Sequence, residues 1–229
     1  MALSFNGSSD KVDVSAAAIF NATGNWSFGF WTKDGTSGPP YGEGSAGNVQ
    51  FVEMFVGAAG VVQWLERDFG GTETNQSGTH TAFSSSWQHV LLTHSAAKNI
   101  KTYVDGVLDM NFTAGSWDGS GLGSALIGAR HRVDDAWFAG KIAHFSMWNA
   151  VLQQSDATTL AGGLYPNLLG TVPTHYWALN DTTSPSPDTG TPGGVNGTVT
   201  GTSTVAGPAM HGLAATVDQL LPPPIRGLR

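Results

Sequence analysis

Three kinds of chemistry have their residue types in this chain: carboxylates for hydrolysis, oxygens and imidazoles for a metal, and aromatic rings with planar polar groups for a sugar. Cleaving a glycosidic bond takes two carboxyl groups about 5 to 9 Å apart on one sugar, and a strand supplies them at alternate positions. Here Glu53, Glu66 and Glu73 stand alone, and Asp134 and Asp135 are adjacent, so extended backbone would turn them to opposite faces. There is no Gly-x-Ser-x-Gly elbow and no phosphate loop. No catalytic residue is assigned, and an enzyme is not expected.

Calcium asks for about six to eight oxygens with carboxylates converging. Asp10, Asp13, Asp134 and Asp135 are the weak candidates, in turns and loops where solvated aspartates are ordinary. His89, His94, His131 and His144 lack the close spacing of a zinc site, and His89 reads as a hydrogen-bonded core residue. With no cysteine there is neither a thiolate site nor a disulfide. No cofactor is therefore expected. A sugar needs rings to stack on and planar polar groups for its hydroxyls. Tyr41, Trp117 and Trp137 lie in or beside loops, and Asp118, Arg130, Arg132, Asp134 and Asp135 can supply the polar part. Those eight residues form the candidate glycan site. Trp26, Trp87, Trp148 and Trp177 are assigned to the core.

The elements that would position these groups are strands. Between Trp87 and Thr93, and again over Ile100–Val104, residues alternate as on a half-covered strand. Asp105-Gly106 joins Val104 to Val107, and this dipeptide tolerates the positive φ angles of a two-residue hairpin turn. Trp26, Phe28 and Phe30 alternate with Ser27, Gly29 and Trp31, and Gln50–Val56 with Val61–Arg67 reads as a second hairpin. Loops are expected at 34–48, 68–79, 113–123 and 130–136. Gln153–Ala161 is the one helix, with Ser155-Asp156 to cap it and Gly162-Gly163 to end it. His175–Leu179 closes the core as a last strand.

Trp87-Gln88-His89-Val90 followed by Tyr103-Val104-Asp105-Gly106-Val107 resembles the signature of laminin G-like domains in the concanavalin A-like lectin/glucanase superfamily. Further pieces match in order: Leu3-Ser4-Phe5-Asn6-Gly7 with Asp10 and Val12, Trp26–Trp31, Leu126–Ala129 with Phe138–Ile142, and Phe145–Asn149 with Leu152. The match runs over roughly residues 3–165. It implies an all-β fold: a two-sheet antiparallel jelly-roll sandwich with one short helix. The family's recurrent metal position would use carboxylates where this chain has Asn6 and Ala143. Asp188-Thr189-Gly190 with Asn196–Val199 resembles a segment that flanks such sandwiches, so 181–206 should pack on the rim of a domain spanning 1–206.

Composition bounds the rest. In 229 residues there are 31 glycines and 12% charged residues, a profile of short strands and tight turns, and 40% hydrophobic residues can fill a core. A formal charge of −7 excludes nucleic acid as a partner, and no apolar run is long enough to insert in a membrane. Met1 leads straight into a strand without a signal peptide, although the family usually works outside cells. Residues 207–229 carry Met210, Leu213, Val217, Leu220 and Leu221 at helical spacing and read as an attachment tail. The leading expectation is a non-enzymatic adhesion or structural module on a bacteriophage virion, as a capsid decoration or fibre component. It would contact other surface proteins through the tail, glycans, and further copies of itself. The alternatives are a soluble carbohydrate-binding lectin, calcium-assisted, and after it a glycoside hydrolase.

Overall fold

Alternation dictates most of what the chain does, starting from its first two strands. The structure, a computed structural model, describes residues 1–15, 24–45, 49–115, 122–131 and 136–212. β1 (Ala2–Asn6) and β2 (Lys11–Asp13) are joined by a tight turn yet enter different sheets. Asn6 Oδ1 holds that turn by accepting the N–H groups of Ser8 (2.8 Å) and Ser9 (2.9 Å). β3 (Trp26–Ser37), β4 (Tyr41–Ser45), β5 (Phe51–Val56), β6 (Val61–Arg67) and β7 (Glu73–Thr81) follow. Then come β8 (Gln88–His94), β9 (Asn99–Val104) and β10 (Val107–Thr113), the expected meander. Its turn residues Asp105 and Gly106 have φ of 48° and 76°, the left-handed pair that a side chain larger than Asp or Asn tolerates poorly. β11 (Leu122–Ile127), β12 (Ala139–Trp148), α1 (Gln154–Ala161), β13 (His175–Trp177), β14 (Thr198–Thr200) and β15 (Ser203–Val205) complete the order.

The strands make two antiparallel sheets, as the sequence implied. One runs β10-β9-β8-β3-β12-β1-β15, with β13 taking up the edge of β12 beyond β1. The other runs β14-β2-β11-β4-β5-β6-β7. Between them lies the main core, with Trp26, Phe28 and Phe30 of β3 facing Tyr41, Met54 and Trp64. Ser27, Gly29 and Trp31 point away, as the alternation requires. On that far side α1 seats Ala157 and Leu160 against Leu91, Tyr103 and Trp148. Asp156 reaches back to the Gln153 N–H (2.8 Å) to cap the helix, and Gly163 at φ 96° ends it.

Two expected loops prove to be largely strand. Segment 34–48 contains the end of β3 and all of β4, and 68–79 contains most of β7. β7 holds no apolar residue, so alternation of hydrophobicity could not reveal it; its pairing with β6 does. Trp87 is half-buried beside Trp31 rather than in the inter-sheet core. Of the other two loops, 116–121 and 132–135 lie outside the described residues.

Without disulfides, buried aspartates close the sandwich. At one edge a bulge between Leu108 and Met110 turns Asp109 toward β7, where it accepts the N–H groups of Thr79 (2.7 Å) and His80 (2.9 Å). At the other, β14 and β15 belong to different sheets and are separated by a short turn. The flank between β13 and β14 is held against β13 by hydrogen bonds. Asp188 anchors it through the His175 ring (2.7 Å) and the N–H groups of Tyr176, Gly190 and Val195 (2.9, 3.0 and 3.0 Å). Burial raises the affinity of this carboxyl for protons, but the hydrogen bonds outweigh it and leave the group below the usual aspartate range. Residues 207–212 also belong to the sandwich: His211 shares backbone hydrogen bonds with Gly163 (2.8 Å) and Tyr165 (3.4 Å). The tail expected from 207 therefore starts no earlier than 213, and 213–229 lie outside the described residues.

Asp188→Ala strands several buried N–H groups at once and should destabilise the fold by about 3 kcal/mol at pH 7. Because the native carboxyl titrates low, its stabilisation is present above about pH 4 and fades as pH falls through the native value. The loss measured by thermal melts should accordingly shrink at acid pH.

Candidate functional site

Strand pairing decides which side chains share a face. Tyr41, Met54 and Trp64 are cross-strand partners and all lie in the core. Glu43, Val52 and Glu66 are partnered two residues further along the same strands, so they point inward as well. Inside, Glu43 accepts the Tyr41 hydroxyl (2.6 Å), and Glu66 accepts the Trp64 indole N–H (2.9 Å) and the Gly115 N–H. Burial, reinforced by the Glu43 charge, pushes the Tyr41 phenol well above its ordinary range. Tyr41 is fully buried, so the expectation that it stacks on a sugar is corrected: its ring fills the core and its hydroxyl serves a buried carboxylate.

The alternate set faces outward. Phe51 lies opposite Arg67, Glu53 opposite Leu65, and Phe55 opposite Gln63. β7 extends the face with Glu73, Asn75 and Ser77. Glu53 has no exposed side-chain surface, and it accepts Arg130 Nε (3.2 Å) and the His131 Nδ1–H (2.7 Å). The Arg130 guanidinium lies 5.2 Å from the Phe55 ring centre, and that of Arg67 lies 5.2 Å from the Phe51 ring centre. His131 stacks on Phe51 at 5.4 Å. Gln63 donates to Asn75 (2.9 Å), and Arg67 pairs with Glu73. At the β6–β7 turn Phe69 is 72% exposed, on a bend that Asp68 holds through the Thr72 N–H (2.7 Å).

The outer face of β5, β6 and β7 thus carries guanidinium and amide planes, and the exposed Phe69 stands at the adjoining turn. Such planes offer paired hydrogen bonds at fixed angles, and stacking removes much of the rotamer freedom that binding would otherwise freeze. Of the eight residues expected in a glycan site, the structure brings Arg130 here. Trp137 is half-buried, and its backbone bridges to Ala129 next to Arg130. Trp117, Asp118, Arg132, Asp134 and Asp135 lie outside the described residues. Phe55, Gln63, Arg67, Phe69 and Asn75 were not foreseen. Alternation in β5 and β6 carried the signal for the strand residues, but reading 68–79 as a loop hid the third strand of the face.

The weak metal candidates are turn residues. Asp10 accepts the Asn6 N–H (3.0 Å) and Asp13 the Ser15 N–H (3.0 Å) and hydroxyl (2.6 Å), while Asp134 and Asp135 are not described. Among the described residues no three His, Asp or Glu side chains group as a metal site. Nor, among them, is any helix long and apolar enough to cross a membrane.

The laminin G family model of the concanavalin A-like lectin/glucanases superfamily matches residues 6–158. The chain belongs to this family. Comparison with curated proteins finds no match. Among solved structures, the Ruminococcus gnavus IT-sialidase CBM40 bound to α2,3 sialyllactose is similar, at TM-score 0.57 and 16% identity over 71% of this chain and 98% of that one. A Bacteroides ovatus protein inferred to bind carbohydrate aligns at TM-score 0.60 and 18% identity, over 89% of this chain and 59% of that one. Domains LG4-5 of the mouse laminin α1 chain align at TM-score 0.54 and 13% identity, over 67% and 43%. At these identities the likeness is one of fold, and the fold is lectin-like.

The platform depends on a close approach. Gly44 sits under the His131 ring, where a Cβ would clash with it. Gly44→Ala should unseat His131 and loosen Arg130 from Glu53, costing about 1–3 kcal/mol. Thermal melts would read the loss, and the imidazole signals of His131 would shift by NMR.

Proposed function

We propose that the chain is a non-enzymatic carbohydrate-binding adhesion module that receives glycans on the outer face of β5, β6 and β7. The observation that carries this reading is the preorganised platform of Arg67, Arg130, Gln63 and Asn75 beside the exposed Phe69. Binding rather than hydrolysis is supported by the carboxylates: Glu43 and Glu66 point inward to Tyr41 and Trp64, and Glu53 is held by Arg130 and His131. The solved relatives that carry bound sialyllactose or a carbohydrate-binding description are consistent with it. No cofactor forms part of the proposal.

The setting we propose is an exposed surface, and more narrowly a bacteriophage virion, as a decoration or fibre protein. Sparse charge, absence of cysteine and a family that usually works outside cells support that setting. Its protein partners would be engaged through 213–229.

A glycan array, run with and without chelator, should yield chelator-insensitive binding, and a polysaccharide panel should show no hydrolysis. Arg67→Ala combined with Asn75→Ala should weaken array binding by about tenfold or more, equal to about 1.4 kcal/mol. Both side chains are solvent-accessible, so the melting temperature should move by no more than about 2 °C. Retained binding in that variant would place the glycan elsewhere.

A further inference from the structure

The end of the described chain lies across the outer face of the eight-stranded sheet, away from the platform. Val205 pairs with Ala2 at the sheet edge, and Met210 packs on Ala2, Trp31 and Ala143. His211 then bonds to Gly163 and Tyr165. Residues 205–212 thus run as a strap from β15 to the end of α1.

Beneath the strap two imidazoles are buried. β12 carries one residue more than β3 here, since Trp31 pairs with Ala143 and Gly29 with Ser146. The residue accommodated by the bulge is His144, at φ 53°. Its Nδ1 meets the Tyr176 hydroxyl at 2.7 Å and its ring lies edge-on to Tyr165 at 5.5 Å. His89 is the register partner of Trp31 and sits edge-on to the indole at 5.4 Å. It is 3% exposed, and its Nδ1 has no hydrogen-bond partner, contrary to the expectation of a satisfied core histidine.

The groups around the pair favour its neutral form. Met1 contributes its ammonium beside His144. Lys33 and Lys141 lie two residues along the same face, Lys141 being paired with Asp34. From β9 and its turn come Tyr103 and Asp105, and the Asp105 carboxylate is taken up by the His89 backbone N–H (2.7 Å). Asp156 of α1 caps its own helix, and His211 on the strap bonds to the Gly162 carbonyl (2.6 Å). Burial and then repulsion from His144 lower His89 to about 3, while burial and then the Met1 ammonium lower His144 to about 4.

We propose that residues 205–212 are an acid-released strap: charging His89 and His144 beneath it lifts the strap and the N-terminus from the sheet while the sandwich stays folded. Opened to water, each imidazole takes a proton near its ordinary value of about 6.5. The closed state therefore loses stability as pH falls from about 6.5 toward the buried values. The strap yields first because its own hold is slight: Met210 is half-buried and His211 exposed, whereas Phe28 and Phe30 on the far side of the sheet are fully buried.

Hydrogen exchange at pH 7.0 and 4.5, corrected for intrinsic rates, tests this on the full chain. Protection of 205–212 should fall by about tenfold or more at the lower pH while β3 and β8 keep theirs. The double variant His89→Gln/His144→Asn should hold the strap closed at both values, Asn being tolerant of the left-handed backbone at 144. Unchanged strap protection at pH 4.5, simultaneous loss in strap and β3, or identical opening in the variant would each overturn the proposal. Should the variant not fold, the comparison of strap with β3 in the unaltered chain decides alone.

Discussion

The stacked aromatic column on the inner face of β3 is the interaction on which the rest of the structure depends. Trp26, Phe28 and Phe30 stack along one strand, Phe145 covers Phe28 and Phe30 at 5.9 and 5.6 Å, and Tyr41 closes on Phe145 at 4.8 Å. Each fully buried Phe contributes about 1.5–3 kcal/mol, a sizeable share of the ~5–15 kcal/mol that holds a whole domain together. A slip of one residue in β3 would turn all three rings to the other side, so the column also fixes register. The outward set of every neighbouring strand follows from that choice. Function is written on the residues the core leaves over.

Polar groups do the work at the boundaries. Asp109 ties the edge of one sheet to the other, and Asp188 ties the flank to β13. Each is a buried carboxylate whose cost of burial is offset by several N–H donors. In a chain without cysteine these contacts take the place of cross-links at the edges of the sandwich. A face whose side chains are already stacked and hydrogen-bonded suits the recognition of a ligand such as a glycan, because little order remains to be imposed on binding.

Most of the fold was legible because the chain declares it locally. Trp26–Trp31 alternates cleanly, Asp105-Gly106 can hardly be anything but a hairpin turn, and the residues of α1 carry a stop at Gly163. Less of the candidate site was legible. The Gly, Pro and Ser content of 34–48 suggested a loop, whereas Tyr41 opens β4 and faces inward. β7 is Thr-, Asn- and Gln-rich, and only its register with β6 makes it a strand. The platform joins Phe55, Gln63 and Asn75, which no spacing rule connects, because strand pairing between distant segments brings them together. Arg130 was singled out for its company in a charged loop. Its role at Glu53 arises from a fold-back of 77 residues along the chain.

The central claim is that glycans meet this protein on the outer face of β5, β6 and β7. The most direct measurement is a backbone amide NMR titration with the strongest glycan identified on the array. Shift changes that saturate together and cluster on Phe55, Gln63, Arg67, Phe69 and Asn75 are the predicted result. Saturable changes confined to the eight-stranded sheet, or none up to millimolar glycan, would contradict the account.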